Sequence, residues 1–182
     1  MSKLSCLENG NWVEHSFPPV FAQEAVKGGV RIVAGVPGGD PLVFHSLVSA
    51  LEPPCFLLYV LHTSRGEGKP GRYESPDLRN EQILAFIERF GSYMRSDSRF
   101  DIWAVSTTDE SKIVWDRHNR LFAYGPLDRF ASELRALGFH SGATQIPSPH
   151  SHNYRAQFDA HAAALLAAFN WSYSTLRPED KQ

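Results

Sequence analysis

The chain has few of the residues on which simple assignments of function rest. Its 182 residues include two cysteines, Cys6 and Cys55, too few for a disulfide framework. The longest apolar run, 55–61, has about a third of the length needed to cross a bilayer. The N-terminal residues lack the apolar core of a secretory signal. These absences predict a cytoplasmic protein that makes no use of a membrane.

The chain also has no large excess of positive or negative residues. The chain carries 18 basic and 20 acidic residues, for a formal net charge of −2. Basic and acidic residues alternate, as in "ESPDLRNE", so no basic stripe forms that would follow a phosphate backbone. The sequence therefore predicts no nucleic-acid partner. A hydrophobic content of 42% over this length is enough for one domain, 1–182, with its own core.

The patterns that are present predict an α+β fold. Runs of β-branched and apolar residues predict five strands, at 30–36, 55–64, 99–107, 111–118 and 121–125. The last three are joined by short turns and should form an antiparallel three-strand meander over 99–125. Apolar residues at helical spacing predict helices at 40–52, 77–94, 126–137 and 155–170. We expect a mixed, mostly antiparallel sheet of about five strands with helices packed on it.

The two ends of the chain carry weaker patterns. Residues 1–28 lack clear periodicity and are expected to be an irregular N-terminal segment. Residues 174–182 are polar and are expected to be a frayed tail.

Complete catalytic motifs are absent as well. There is no G-x-S-x-G, no Walker loop, no His-Glu-x-x-His and no Cys-x-x-Cys, and the glycines of 35–41 lack the G-x-G-x-x-G spacing. Any site must therefore be assembled from residues that are distant in sequence. Three polar segments are candidates.

The first segment is "IPSPHSHNYRAQFDAH", 146–161. On an extended chain His150 and His152 point to the same side, which suits a divalent metal such as zinc. His161 is the predicted third ligand. The alternative interpretation is that Pro147 and Pro149 stiffen a surface loop whose histidines are solvated.

The second segment is "VWDRHNR", 114–120. Strand alternation places Asp116 and His118 on one side, where the carboxylate can fix the imidazole tautomer. Such a pair serves as a general base or as part of a metal site. If it faces the first segment, the predicted catalytic group is Asp116, His118, His150 and His152. The alternative is a solvated strand end.

The third segment is the glycine-rich stretch 62–76. Arg65 and Arg72 are predicted to hold an anionic ligand, because guanidinium groups bind carboxylates and phosphates in pairs. Tyr73 is predicted to contact the same ligand. The alternative is a flexible surface loop.

Two functions remain open. The first is a binding or interaction module without chemistry of its own, in which exposed aromatic residues contact a protein partner. The second is a metal-assisted or His-dependent hydrolase that acts on a small anionic substrate. The absence of a complete motif favours the first. Convergence of the three polar segments on one cavity would favour the second.

Overall fold

The computed structural model describes residues 1–180, and this part of the chain contains twelve strands. In chain order they are β1 (Leu4–Glu8), β2 (Asn11–Glu14), β3 (Val20–Val26), β4 (Gly29–Gly35), β5 (Cys55–Leu61), β6 (Gly71–Glu74), β7 (Phe100–Ser106), β8 (Lys112–Trp115), β9 (Arg120–Tyr124), β10 (His140–Ser141), β11 (His150–His152) and β12 (Ser172–Ser174). The α-helices of this part of the chain are α1 (Pro41–Ser49), α2 (Asn80–Ser96), α3 (Leu127–Ala136) and α4 (Asp159–Leu166). The fold is α+β, as the sequence predicts.

Two sheets share these strands. The main sheet has nine, in the order β10-β3-β4-β9-β8-β7-β5-β6-β12, and the small sheet has three, in the order β11-β1-β2. Every neighbouring pair is antiparallel except β10 and β3. The mixed, mostly antiparallel sheet and the meander β7-β8-β9 are thus confirmed.

The expected number of about five strands is wrong. The main sheet alone has nine, because the sequence patterns missed β3 and the short strands β6, β10 and β12. Residues 1–28, expected to be irregular, contain β1, β2 and β3. In the expected frayed tail, 174–182, a 3₁₀ turn spans Pro178–Asp180 and buries Asp180, while 181–182 lie outside the described residues.

One face of the main sheet packs against the helices. Helix α2 shows how the sequence achieves this: its apolar residues recur every three or four positions and are buried. From the sheet, Ile102, Ile113, Trp115 and Leu121 point to the same core, each at most 1% exposed. Burial of such side chains stabilises the fold by about 1.5 to 3 kcal/mol each. No helix within residues 1–180 has the length and apolar character to cross a membrane.

The opposite face of the main sheet is more polar and carries the strand residues whose side chains alternate with the core set. At its end, the β8–β9 hairpin turn lies against the small sheet. The turn carries Asp116 and His118, and the small sheet carries His150 and His152 on β11. This contact between the two sheets is the feature of the fold that positions the candidate site.

Candidate metal centre

The turn between β8 and β9 is fixed by its own side chains. Asp116 Oδ1 accepts hydrogen bonds from the backbone nitrogens of His118 and Arg120, at 2.9 and 2.8 Å. Asn119 takes a left-handed φ of 62°, which asparagine tolerates better than most residues. Its side-chain oxygen accepts a hydrogen bond from the buried Trp115 indole at 3.1 Å. The backbone that carries His118 is therefore anchored to the core.

Strand β11 presents the other two imidazoles. It pairs antiparallel with β1, so that His152 lies opposite Leu4 and His150 opposite Cys6. Strand alternation sends both histidine side chains to one side, as predicted. Their rings are stacked, with centroids 5.5 Å apart and planes inclined by 26°.

Lys3 connects the small sheet to the turn. Its side chain is fully buried, and its amine donates a hydrogen bond of 2.8 Å to the carbonyl oxygen of Asp116. The amine also lies over the Trp115 ring, 4.7 Å from the centroid. Because the next residue, Leu4, is paired with His152, this contact holds β11 beside the turn.

The result is a cluster of three imidazoles. The His118 ring lies 4.9 Å from the His152 ring and 5.8 Å from the His150 ring, measured between centroids. One ring nitrogen from each of the three lies within 4.8 Å of those of the other two. Nitrogens at such separations can reach one ion after small side-chain movements, since zinc–nitrogen bonds are about 2.0–2.1 Å long.

Each imidazole also has a hydrogen-bond partner at Nδ1. His118 Nδ1 lies 3.0 Å from Asp116 Oδ2, His150 Nδ1 lies 2.9 Å from the Pro147 carbonyl oxygen, and His152 Nδ1 lies 3.4 Å from the Tyr154 hydroxyl. Carboxylate and carbonyl acceptors favour the tautomer with a proton on Nδ1 and leave Nε2 free to bind a metal. This arrangement of outer partners is typical of histidine metal sites.

The electrostatics of the cluster keep it available to a cation. Burial lowers the pKa of His152 to about 4, and the neighbouring charges of His118 and Arg117 act in the same direction, so this imidazole is neutral at pH 7. Burial alone would raise the pKa of Asp116. The hydrogen bond from His118, with the charges of His118 and Arg120, instead holds that pKa below its usual value. Asp116 is therefore ionised beside His118.

The structure brings together some of the residues predicted from sequence and separates others. Asp116, His118, His150 and His152 meet, as the predicted catalytic group requires. His161, the predicted third metal ligand, lies elsewhere: it is exposed and packs edge-on against Phe158, with ring centroids 5.5 Å apart. The group of three ring nitrogens contains His118 in its place.

The residues of segment 62–76 that were predicted to contact a ligand instead contact other residues of the protein. Arg65 Nε lies 3.0 Å from a carboxylate oxygen of Asp159, and Arg72 Nη1 lies 2.6 Å from one of Asp180. The Tyr73 hydroxyl donates to the Lys69 carbonyl oxygen at 2.7 Å. None of these three contacts involves the turn or β11. Its role in holding an anion stays a prediction.

Sequence reasoning missed three parts of the site. The Tyr154 hydroxyl and the Pro147 carbonyl lie within the first segment, at two and three residues from a histidine, but such partners leave no distinct sequence signal. Lys3 lies in the segment expected to be irregular. A lysine beside alternating apolar residues, Leu4 and Cys6, was the available sign of a strand with a buried amine.

Comparison with known proteins does not add to this geometry. The chain matches no protein-family model, no curated protein and no solved structure. The chemistry of the site therefore has to be argued from its own side chains.

Proposed function

We propose that the chain is a metal-dependent hydrolase that acts on small anionic substrates, with a divalent metal of the zinc class bound by His118, His150 and His152. The observation that carries the proposal is the triad itself: three ring nitrogens within 4.8 Å of one another, each ring with an outer partner at Nδ1.

The number of protein ligands supports catalysis over a structural role. Structural zinc sites are closed by four side chains, whereas catalytic sites use three and leave one position open. No fourth histidine, cysteine or carboxylate within residues 1–180 joins the three imidazoles. His150 is exposed, so a substrate can approach the cluster from solvent. A zinc ion held in this way supplies a Lewis acid and lowers the pKa of water to about 7.

The residues around the triad support an anionic substrate. The charge of Arg117 is close enough to lower the pKa of His152, and a bound dication would add to the positive potential there. Asp116 is held by His118 and Arg120, with its oxygens 3.0 Å from His118 Nδ1 and 3.3 Å from Arg120 Nη2. It is thus an orienting group for His118 and is not free to accept a proton from water.

Metal binding is tested first, with tag-free protein and cobalt(II) as a spectroscopic substitute for zinc. We expect about one cobalt ion per chain, with visible absorption of a low-coordinate nitrogen site. His150→Ala should abolish this absorption, and because His150 is exposed the variant should remain folded. His161→Ala is the matched control and should bind cobalt like the parent protein. Equal loss in both variants, or no binding by the parent, would contradict the proposed ligands.

Turnover is tested with the zinc-loaded protein on p-nitrophenyl phosphate and on the neutral ester p-nitrophenyl acetate. We expect the larger acceleration over the protein-free rate for the anionic ester, lost on chelation and in His150→Ala. Stoichiometric metal binding without turnover of either ester would contradict the hydrolase and favour the other prediction from the sequence, a binding module without chemistry of its own.

A further inference from the structure

A row of alternating cations and aromatic rings crosses the face of the main sheet opposite the helices. It runs over β6, β7, β8, β9 and β4, and its members are Arg72, Trp103, Lys112, Tyr124, Arg31, Phe122 and Arg120. Each cation lies 4.3 to 6.0 Å from the centroid of a neighbouring ring. Such contacts are favourable, but a cation that has left bulk water is usually also paired with an anion.

Three of the four cations form an ion pair with a carboxylate. Arg72 is paired with Asp180 at 2.6 Å, Arg31 with Glu24 at 3.1 Å, and Arg120 with Asp116 at 3.3 Å. Lys112 is different. Within residues 1–180 its amine has no carboxylate partner and no hydrogen-bond acceptor, although its side chain is half-buried between the rings of Trp103 and Tyr124. Within residues 1–180, Lys112 is therefore the one cation of this row without a carboxylate partner.

A cavity next to Lys112 offers space for a carboxylate. Lys112 lies in the wall of a cavity of about 240 Å³, together with the rings of Trp103, Phe122 and Tyr124. Lys112 and Tyr124 are direct cross-strand partners, so the amine and one aromatic wall are fixed by the register of β8 and β9. A cavity with aromatic walls and one unpaired cation fits a small ligand with a flat body and a negative charge.

A second donor in the wall is also unpaired. The Trp103 indole nitrogen is buried and has no hydrogen-bond acceptor within residues 1–180. Buried donors without partners are rare in native proteins and are costly. Since this nitrogen is shielded from solvent, the indole must turn slightly to reach a ligand. A carboxylate has two oxygens and can accept from both Lys112 and Trp103.

Four carboxylates line the cavity, those of Asp101, Asp116, Glu179 and Asp180, and each has a partner other than Lys112. Asp101 Oδ2 lies 2.9 Å from His62 Nε2, and its Oδ1 accepts a hydrogen bond of 2.7 Å from the backbone nitrogen of Arg117. Asp116 is occupied by His118 and Arg120. Asp180 is paired with Arg72 at 2.6 Å, and Glu179 lies 4.0 Å from Arg177. None of the four carboxylates is ion-paired with Lys112.

We infer that this cavity binds a small planar carboxylate, in the simplest case an aromatic acid, with its ring between the aromatic walls and its carboxylate paired with Lys112. The inference does not depend on the proposed metal centre, because no ligand histidine lines the cavity.

Benzoate is the probe for the test, and the Trp103 indole N–H resonance is the readout. Trp103→Phe identifies this resonance by its loss from the nitrogen–proton correlation spectrum. We expect a saturable shift with a dissociation constant of about 1 mM or lower. Benzamide has the same shape without the charge and should bind at least about tenfold more weakly. Inorganic phosphate has the charge without the ring and should give no saturable shift.

Variants at Lys112 separate the site from non-specific binding. Lys112→Met should weaken benzoate binding at least about tenfold, whereas Lys112→Arg should retain it. Lys27→Met makes the same chemical change at an exposed lysine and should leave it unaltered. No saturable shift with benzoate, equal binding of benzamide, saturable binding of phosphate alone, or unchanged binding in Lys112→Met would each overturn the inference. The comparison of benzoate with benzamide needs no variant and decides the case if Lys112→Met does not fold.

Discussion

Two aspartate–histidine pairs lie close together in this molecule and differ in one respect. Asp116 Oδ2 lies 3.0 Å from His118, and Asp101 Oδ2 lies 2.9 Å from His62. The histidine side chains are similarly buried, 12% and 7% exposed. However, His118 uses Nδ1 for this contact, whereas His62 uses Nε2.

The choice of ring nitrogen decides what else each histidine can do. Nε2 is at the tip of the ring and Nδ1 is next to the backbone, so a carboxylate at Nδ1 leaves the outer nitrogen free for a metal. His118 belongs to the group formed with His150 and His152, and its Nε2 is the nitrogen not used by Asp116. His62 joins no such group within residues 1–180. The same residue pair thus gives a candidate ligand in one place and a structural contact in the other.

Removal of His118 should mainly lower zinc affinity, whereas removal of His62 should mainly lower the free energy of unfolding. His118→Ala should lower zinc affinity by about 100- to 1000-fold, because a zinc site with binding free energy of about 10–16 kcal/mol from four ligands gains roughly 2.5–4 kcal/mol from each. His62→Ala should change zinc affinity less than about threefold and instead lower the free energy of unfolding by about 1 kcal/mol through the lost hydrogen bond. Competition with a chelator and urea unfolding measure the two effects. Similar affinity losses in both variants would mean that the ring orientation has no influence.

Lys3 is held between the two pairs and gives the next largest effect. Burial lowers its pKa from 10.5 to about 8, although the charges of Asp116 and Asp101 oppose this shift. Below pH 8 the amine is protonated in both the folded and the unfolded chain. Between pH 8 and 10.5 the unfolded chain binds more protons, so the free energy of unfolding should rise with pH in this window.

The measurement compares the parent protein with Lys3→Met. From pH 8 to pH 10 the free energy of unfolding of the parent should rise by about 2 kcal/mol relative to the variant, at 1.36 kcal/mol for each unit of pKa shift. The comparison is restricted to pH 10 and below because burial raises the pKa of Tyr59 and Tyr93, whose contribution has the opposite sign at higher pH. Parallel curves for the two proteins would show that the amine is charged throughout.

Each aspartate of the two pairs can be replaced by asparagine, which has nearly the same shape but no charge. Asp116→Asn should weaken zinc binding by about 10- to 100-fold, which is the usual effect of removing an outer partner of a ligand histidine. Asp101→Asn is the matched control and should leave zinc binding within about threefold, since His62 joins no group of metal-ligating side chains within residues 1–180. Both values come from the same chelator competition. An affinity in Asp116→Asn equal to that of the parent would refute the orienting role of Asp116.

The parts of the fold that were predictable from sequence are those whose pattern is local and long. Helix α2 and strand β7 each bury one regular face, so the period of their apolar residues identifies them, whereas β8 and β9 are identified by their apolar residues and the short turns beside them. Strands β6, β10 and β12 have two to four residues and lie at or near the sheet edges. Their pairing is decided by neighbours distant in sequence, and their composition alone does not indicate a strand.

The candidate site likewise has one part that was predictable from local sequence and one part that was not. The neighbours Asp116 and His118, and the common side of His150 and His152, follow from turn and strand geometry and were predicted. The meeting of the two segments depends on Lys3, whose amine reaches Asp116 across 113 positions of sequence. Such a contact has no local pattern, and so the sequence equally allowed His161 as the third ligand.

The smallest expected effect concerns the weakest outer contact of the triad. The Tyr154 hydroxyl lies 3.4 Å from His152 Nδ1 on an exposed side chain, a longer and more solvated contact than that of Asp116 with His118. Tyr154→Phe should therefore weaken zinc binding by only about two- to threefold, because water can replace the hydroxyl. The same chelator competition measures it. A loss as large as that of Asp116→Asn would show that orientation of His152, and not the charge beside His118, controls the affinity of the site.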